Sequence, residues 1–315
     1  MKKFIGFLAQ VEQQVNLEDE LAFRKIEVLF RYGPLFICEQ KSENLNIYES
    51  VVFAQDIWFN LQFFKYNSIK NAQEILKEKV DKSTRFVHYP LQSIRRGELV
   101  LEKLNQVKRF KKYNFKEELP NYSLAVFSLI SNEELIFSST TSSRVPLGEI
   151  EFNEDKANPP SRAYLKLWEV FTLFPELIPP KDSLVLDMGC TPGGWTYVLT
   201  TLDLKIIAVD KAPLASSLLK HPLVTYKQES AFGLRPSHVG LVHTFFSDII
   251  CYPAKLLELV NRWREQNLVG QFICTIKFQH PTDFETLMKF QEIPNSKVVH
   301  LHHNKHEVTW ILCLN

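Results

Sequence analysis

The sequence predicts an α/β protein whose second half carries a mostly parallel sheet and whose first half is a mixed α and β region. From residue 184 onward, apolar segments alternate with segments of helical pattern. These apolar segments are nearly continuous, which is typical of strands buried on both faces between helices. The last two, 297–302 and 308–314, are separated by only five residues, too few for a crossover connection. We therefore expect them to form an antiparallel hairpin.

The elements of the second half are expected to follow one another as strand, helix, strand. Further strands are predicted at 184–187, 205–210, 224–227, 241–247 and 271–277, and helices at 194–202, 212–220, 254–266 and 282–290. The prediction is a Rossmann-like sheet of six parallel strands and one antiparallel C-terminal strand.

The first half has no internal repeat and ends at a polar segment. Ser68 precedes an amphipathic run, which predicts a capped helix, and 122–139 has the pattern of a hairpin. The segment 149–160 is acidic and closes with two prolines, which marks a boundary. We expect an N-terminal α+β region over 1–155 and a second domain over 156–315.

Composition indicates a globular protein without a membrane span. The chain has 315 residues, 45% of them hydrophobic, and no run approaches the ~18 apolar residues of a spanning helix. The N-terminal apolar run is too short for a signal peptide. Five scattered cysteines without a CxxC pair argue against disulfides and a zinc site, and a polar loop is expected at His302, His303 and His306. We expect a cytoplasmic protein that binds no metal.

A glycine-rich turn, DMGCTPGGW, follows the first strand of the predicted sheet. In doubly wound sheets this turn is the usual ligand cradle. Gly189, Gly193 and Gly194 permit close backbone approach, and a helix that begins near Gly194 directs free N–H groups at an anion. Thr191 breaks the dinucleotide pattern GxGxxG, and a P-loop GK[ST] is missing.

A second acid, Asp210, ends the next strand, where a carboxylate accepts both hydroxyls of a ribose. S-adenosylmethionine suits this pattern because its carboxylate favours the helix N-terminus and its sulfonium tolerates Asp187, which would repel a pyrophosphate. A tight turn whose acids pair locally is the alternative. The candidate cofactor-binding residues are Asp187, Gly189, Cys190, Pro192, Gly193, Gly194, Trp195, Asp210, Glu229, Ser230 and Asp248.

Three ionisable residues are expected at the rim of this turn. Asp248 closes one strand and Lys277 lies at the end of the next, so both fall at the carboxyl edge of a parallel sheet. Glu307 begins the last strand, which runs in the opposite direction and therefore starts at the same edge. A lysine inside the apolar segment FICTIKF is costly unless it is paired.

The stretch DMGCTPGGWT resembles the cofactor motif D-x-G-x-x-P-G-G-[WF] of the FtsJ-like ribosomal RNA 2′-O-methyltransferases. The resemblance implies an S-adenosylmethionine-dependent methyltransferase fold with a catalytic tetrad. By motif, the tetrad falls on Lys166 in SRAYLKL, Asp248 in FFSD, Lys277 in TIKF and Glu307 in KHEVTW.

Within this family the chain is most similar to the bacterial enzymes that methylate a cytidine ribose of 23S ribosomal RNA, through PPSRAYLKLWE, GGWTYVL and FGLRP. The resemblance covers about 160–315 and is looser upstream, where WFNLQFFKYNSIKNAQEIL is similar to a THUMP-like RNA-binding region. Ser230 stands where the family has an acid that contacts adenine. Either Glu229 substitutes for that acid or backbone groups read the adenine.

The tetrad has to position a ribose hydroxyl and remove its proton. We expect Lys277 to be the base, which requires its neutral form, favoured by desolvation and by the like charge of Lys166. Asp248 would orient the two lysines and face the sulfonium, without lying too close to Lys277. Glu307 would position Lys277 or the ribose.

The net charge of +1 indicates no particular partner, but the segment 95–116 holds eight basic residues against two acidic ones. Its aromatic residues, Phe110, Tyr113 and Phe115, suit base stacking beside phosphate contacts. A solvated linker is the alternative. The candidate RNA-binding residues are Arg95, Arg96, Lys108, Arg109, Lys111 and Lys112.

The expected function is 2′-O-ribose methylation of RNA that uses S-adenosylmethionine, with 23S ribosomal RNA or a pre-ribosomal particle as partner. The alternative is a non-catalytic RNA-binding or ribosome-assembly protein that retains the fold. A base amino-methyltransferase would need [DNS]PP[YFW] after the fourth strand, where the chain reads SDIICYP. A dehydrogenase is disfavoured because GxGxxG is missing.

Overall fold

The structure is a computed structural model that describes residues 2–107 and 109–314. Its contacts divide the chain into two compact units. The first contains the chain up to Tyr113 and Glu117–Glu151, and the second contains Asn114–Lys116 and the chain from Phe152 onward. The short segment Asn114–Lys116 thus belongs to the second unit although the first unit continues on both sides of it.

The first unit is built on an eight-stranded sheet of order β2-β3-β1-β4-β8-β7-β5, with β9 paired to β4. Its strands are β1 (Phe4–Leu8), β2 (Val28–Tyr32), β3 (Leu35–Glu39), β4 (Asp56–Lys65), β5 (Arg85–His88), β7 (Leu124–Leu129), β8 (Glu134–Ser138) and β9 (Thr140–Thr141), with β6 (Lys112–Tyr113) outside the sheet. Its helices are α1 (Gln14–Phe23), α2 (Asn46–Glu49), α3 (Ile69–Lys77) and α4 (Ile94–Leu101). β10 (Glu151–Phe152) lies at the division between the units.

Two local predictions for the first unit are confirmed. The hydroxyl of Ser68 accepts a hydrogen bond from the backbone N–H of Asn71, so α3 has the predicted N-cap. β7 and β8 pair antiparallel as the predicted hairpin.

The second unit is built on a seven-stranded sheet of order β13-β12-β11-β14-β15-β17-β16. Its strands are β11 (Leu184–Met188), β12 (Lys205–Asp210), β13 (Val224–Gln228), β14 (Val242–Ser247), β15 (Val269–Lys277), β16 (Ser296–Val299) and β17 (Glu307–Cys313). Its helices are α5 (Tyr164–Leu173), α6 (Gly194–Thr200), α7 (Ser216–Leu219), α8 (Pro253–Arg264) and α9 (Phe284–Gln291).

The direction of the strands confirms the predicted α/β class. β13, β12, β11, β14 and β15 pair parallel, whereas β17 is antiparallel to both β15 and β16. The predicted C-terminal hairpin is therefore present. Because β17 runs opposite to β15, its first residue, Glu307, lies directly across from Lys277, the last residue of β15.

Two predicted elements are too long. The strand predicted at 297–302 ends at Val299, and the backbone N–H groups of His302 and His303 donate to the buried carboxylate of Glu169 on α5 instead of to a neighbouring strand. The helix predicted at 212–220 is reduced to α7, because the carbonyl of Ala212 accepts from the side chains of Thr191 and Tyr226 and holds this segment as a loop.

Within residues 2–107 and 109–314, no helix has both the length and the apolar content that a membrane crossing requires. The same residues contain no cluster of three or more His, Cys, Asp or Glu side chains arranged to hold a metal ion.

Candidate active site

The glycine-rich turn after β11 has a backbone that side chains would disrupt. Gly189 has φ +79°, and a Cβ placed there would lie 2.8 Å from Cα and 2.9 Å from N of Ile249. A Cβ on Gly194 would lie 2.6 Å from Oγ of Ser161 and 3.1 Å from the backbone N of Tyr164. Glycine at these two positions lets the turn pack directly against the segment before α5 and the loop after β14.

The turn forms one wall of a cavity of about 380 Å³ at the carboxyl edge of the parallel strands. The other walls come from the ends of β12 and β15, from the loops after β13 and β14, and from the segment before α5. The lining residues are Ser161, Ala163, Gly189, Cys190, Thr191, Pro192, Gly194, Trp195, Val209, Asp210, Lys211, Ser230, Ala231, Phe232, Asp248, Ile249, Ile250 and Lys277.

The predicted cofactor residues fall into two groups. The lining includes Gly189, Cys190, Pro192, Gly194, Trp195, Asp210, Ser230 and Asp248, whereas Asp187, Gly193 and Glu229 lie outside it. The structure thus places Ser230, and not Glu229, beside the cavity.

Asp187 differs most from the expectation that it faces a cofactor. Its side chain is fully buried beneath the turn, where Oδ2 accepts a 2.6 Å hydrogen bond from the hydroxyl of Thr196. Burial, with smaller contributions from the charges of Asp248 and Asp210, raises the pKa of Asp187 to about 7. Asp187 therefore supports the turn from below.

Asp210 is held with its carboxylate at the wall of the cavity. Oδ2 accepts from the backbone N–H of Thr191 at 3.1 Å, and Oδ1 accepts from that of Ala212 at 3.0 Å. These two bonds fix the side chain in one orientation. Each carboxylate oxygen can accept further hydrogen bonds, as binding a ribose diol requires.

Ser161 is a site residue that the sequence analysis missed. The residue lines the cavity, and its hydroxyl oxygen is buried and has no hydrogen-bond partner within the residues that the structure describes. A buried hydroxyl without a partner costs free energy unless a ligand supplies one. The only signal in the sequence was its place in SRAYLKL, the segment that also carries Lys166.

The structure brings Lys166, Asp248, Lys277 and Glu307 together at one side of the cavity. Oδ1 of Asp248 lies 2.7 Å from Nζ of Lys166 and 3.0 Å from Nζ of Lys277. Oε1 of Glu307 lies 3.1 Å from Nζ of Lys166. All four side chains are largely buried. The two positive and two negative charges therefore compensate each other inside the protein.

The pairing within this cluster corrects two expectations. Asp248 lies in direct contact with Lys277, which also donates a 2.7 Å hydrogen bond to the backbone carbonyl of Asp248. Glu307 contacts Lys166, although it lies across from Lys277 in the strand register. Burial opposes the charge of Asp248, but the two lysines outweigh it and lower the pKa of this carboxyl group below its usual value.

Lys277 and Asp248 line the cavity, whereas Lys166 and Glu307 lie behind them. The ammonium of Lys166 lies 5.9 Å from the centre of the Trp195 ring, within the range of a cation–π contact. Lys277 is consequently the cation of the cluster that faces the space a substrate would occupy.

The basic segment of the first unit is less free to bind RNA than its composition indicated. Arg109 forms two hydrogen bonds with Glu149, of 2.9 and 3.0 Å, and Nζ of Lys111 lies 2.5 Å from Glu117. Arg96 is partly buried, with its guanidinium 5.4 Å from the centre of the Tyr66 ring. Arg95 and Lys112 are exposed. Lys108, which was also predicted to bind RNA, lies outside the described residues.

The aromatic residues of this segment also differ from expectation. Tyr113 is buried. Phe115 belongs to the second unit and stacks on Trp168 of α5, with ring centres 5.1 Å apart and planes at 5°. Phe110 is 70% exposed. Of the three, Phe110 alone is available for a base to stack on.

Part of this chain is similar to a known protein family and to curated proteins. The model of the FtsJ-like methyltransferase family matches residues 159–301. The chain is 33% identical over 172 residues to the ribosomal RNA large subunit methyltransferase M of Saccharophagus degradans, covering 49% of this chain and 48% of that one. It is 30% identical over 166 residues to the protein of the same name from Laribacter hongkongensis, covering 48% and 46%. The matched part thus spans about half the length of these curated relatives.

Two solved structures show weaker likenesses. A chain described as a ribosomal RNA methyltransferase of Plasmodium falciparum is 18% identical, with a TM-score of 0.37 over 49% of this chain and 96% of that one. TrmN from Thermus thermophilus is 12% identical, with a TM-score of 0.36 over 99% of both chains. With TM-scores below 0.5, neither carries an argument about fold or activity.

The family match lies within the second unit and spans the glycine-rich turn, the cavity and three of the four clustered charged residues. Within the second unit, residues 159–301 are therefore similar to the FtsJ-like methyltransferase family, whose model they match.

Proposed function

We propose that the protein methylates the 2′-hydroxyl of a ribose in large-subunit ribosomal RNA, with S-adenosylmethionine as the methyl donor. The observation that carries this proposal is the cluster of Lys166, Asp248, Lys277 and Glu307 beside the cavity of the FtsJ-like domain. The names of the curated relatives support ribosomal RNA as the substrate class. The resemblance to the bacterial cytidine-specific enzymes further suggests a cytidine of 23S ribosomal RNA.

The residues around the cavity fit S-adenosylmethionine. Asp210 presents an oriented carboxylate to a ribose diol, and Ser161 offers a buried hydroxyl that lacks a partner within the described chain. Gly189 and Gly194 keep the wall of the turn free of side chains. When bound, this group would supply a methyl already activated by a sulfonium. Ser230 and Ala231 line the cavity, which favours adenine contact through these residues and not through Glu229.

The cluster would orient the ribose and accept its proton. Lys277 faces the cavity and is our candidate for the base, which requires that Nζ loses its own proton and turns a lone pair toward the hydroxyl. Asp248 contacts both lysines and would fix the positions of their ammonium groups. Lys166, bonded to two carboxylates, would keep Asp248 in place, and Glu307 would complete that contact.

The two halves of the chain would have different functions. We propose that the methyltransferase activity resides in 156–315 and that 1–155, through a THUMP-like part, contributes RNA binding. The exposed side chains of Arg95, Lys112 and Phe110 support the second assignment. The substrate is then either naked 23S ribosomal RNA or a pre-ribosomal particle.

Mapping of 2′-O-methyl groups tests the function in cells. Ribosomal RNA from cells with and without the gene would be compared, with rescue by the wild-type gene and by Lys277→Ala. We expect one or more methyl groups to disappear on deletion and to return with the wild-type gene alone. Identical maps in all strains would refute the proposal.

A further inference from the structure

Two aromatic side chains lie on the loops that carry Asp248 and Lys277. Tyr252 follows Asp248 in the loop between β14 and α8, and His280 follows Lys277 in the loop after β15. Their ring centres are 6.3 Å apart and their planes form an angle of 27°, so the rings are close to parallel. Tyr252 is 53% exposed, and His280 is also exposed. A near-parallel aromatic pair is therefore open to solvent beside the charged cluster.

Ile250, two residues before Tyr252 in the same loop, lies at the cavity. It lines the cavity and yet is 76% exposed, so it lies at the mouth. Its neighbour Ile249, in contrast, is buried against Gly189. An apolar side chain at the mouth and an aromatic pair beyond it form a surface that a flat, partly apolar ligand can cover.

The order of the strands separates this surface from the residues assigned to the cofactor nucleoside. Asp210 ends β12 and Ser230 follows β13, and both strands lie on one side of β11 in the sheet. Tyr252 and His280 follow β14 and β15, which lie on the other side. Lys277, on β15, also belongs to that second side. The methyl acceptor therefore has to approach over the loops after β14 and β15.

We infer that Tyr252, supported by His280 and Ile250, is the surface on which the base of the acceptor nucleotide stacks while its ribose reaches Lys277. The inference rests on the proposed function for the identity of the ligand. Bases of unpaired nucleotides stack on aromatic side chains, whereas a base inside a duplex does not expose its face. The expected ligand is thus an unpaired nucleotide of RNA.

The side chain of Tyr252 has no evident part in starting α8. Tyr252 is the N-cap residue of this helix, but its side chain makes no capping hydrogen bond, and Pro253 begins the helix. Replacing Tyr252 should therefore leave the fold of the domain intact.

Fluorescence anisotropy of the full chain with a short labelled oligocytidylate tests the inference. Tyr252→Ala should weaken binding about tenfold, because a base stacked on an aromatic ring contributes roughly that much. Tyr252→Phe keeps the ring and should bind as the wild type does. The matched control is Leu241→Ala, which should not change RNA affinity. Leu241 is 73% exposed and lies just before β14, at the opposite edge of the sheet.

Two further readouts separate this role from a structural one. The Kd for S-adenosylmethionine, measured by calorimetry, should be equal in wild type and Tyr252→Ala. An oligonucleotide of equal length with abasic nucleotides should bind wild type and Tyr252→Ala equally, because no base remains to stack.

The outcomes distinguish the inference from the proposed function. The inference would be overturned if the wild type did not bind oligocytidylate, if Tyr252→Ala bound it as tightly as the wild type, or if Tyr252→Phe lost as much affinity as Tyr252→Ala. A loss of cofactor affinity in Tyr252→Ala that parallels its loss of RNA affinity would also overturn it. If RNA binding depends on the Tyr252 ring but the protein does not methylate ribose, the inferred stacking surface is supported and the proposed 2′-O methylation is refuted.

Discussion

Lys277 and Glu307 lie directly across from each other in the β15–β17 pair, yet the carboxylate of Glu307 contacts Lys166 on α5. Asp248, at the end of β14, contacts both lysines. A helix thus supplies the central cation of a cluster whose other members come from three adjacent strand ends. Among residues 2–107 and 109–314, Lys277 contacts the carboxylate and the backbone carbonyl of Asp248, and it faces the cavity.

Replacing Glu307 by Gln tests whether this arrangement matters for catalysis. The substitution keeps the shape of the side chain but removes one of the two negative charges on Lys166. Because Lys166 then loses one of the two carboxylates that position it, we expect kcat to fall about tenfold, within the range for one lost charged hydrogen bond. The Kd for S-adenosylmethionine should not change, since Glu307 lies outside the cavity lining. A loss confined to cofactor affinity would contradict this role.

Replacing Ser161 by Ala tests the cofactor assignment of the cavity. If the buried hydroxyl of Ser161 finds its partner in the bound cofactor, its removal should weaken S-adenosylmethionine binding about tenfold. Calorimetric titration provides the measurement, and Ser217→Ala, at an exposed serine of α7, is the control. Equal affinity in the Ser161 variant and the wild type would remove Ser161 from the cofactor site.

The buried carboxyl group of Asp187 predicts a pH-dependent stability. Because its pKa is raised to about 7 in the fold, the group is protonated below that pH, whereas in the unfolded chain it ionises near pH 4. The contribution of Asp187 to the free energy of unfolding therefore declines by up to about 4 kcal/mol as the pH rises from about 4 to about 7. The free energy of unfolding of Asp187→Asn, relative to that of the wild type, should increase from about pH 4 to about pH 7. Above about pH 7 this difference should stay constant.

Urea unfolding of both proteins at several pH values measures this difference. Burial also raises the pKa of Asp56 in the first unit to about 7, but Asp56 is present in both proteins, so its contribution cancels from the difference. A difference between Asp187→Asn and the wild type that stays constant with pH would show that the pKa of Asp187 is the same in the folded and the unfolded protein.

The exposed cations of the first unit should contribute to RNA affinity through phosphate contacts. We expect the double variant Arg95→Ala/Lys112→Ala to bind single-stranded RNA more weakly and to lower the slope of log K against log salt by about 0.7 for each lost contact. The matched control is Lys205→Ala, which removes an exposed lysine at the start of β12. Nitrocellulose filter binding over a range of salt provides the slopes. A slope that does not change would exclude these residues from the interface.

The sequence predicted those features that depend on local pattern and chain order. Alternating apolar runs identified the parallel strands, and the short connection before β17 predicted its reversed direction. That reversal is enough to bring Glu307 to the edge that carries Asp248 and Lys277. The elements that came out too long, at 212–220 and 297–302, are those where side chains distant in the sequence take over the backbone hydrogen bonds.

The pattern of residues in the sequence did not predict contacts between side chains that are distant along the chain. The pairing of Glu307 with Lys166 depends on where α5 packs, and no spacing along the chain encodes it. Ser161 was missed because a serine before a helix usually indicates a cap, not a ligand. The aromatic ring of Phe115 was assigned to an RNA surface, but Asn114–Lys116 belongs to the second unit and stacks this ring on Trp168.

The most direct test of the account is the position of the methyl group that the purified chain transfers. Protein, methyl-labelled S-adenosylmethionine and large-subunit ribosomal RNA lacking native modifications would be incubated, and the RNA then hydrolysed with alkali. A methyl on the 2′-oxygen blocks alkaline cleavage, so the label should appear in an alkali-resistant dinucleotide. Lys277→Met should lower the rate by about 100-fold or more while retaining cofactor affinity. Label released in mononucleotides, or equal rates for Lys277→Met and wild type, would contradict the account.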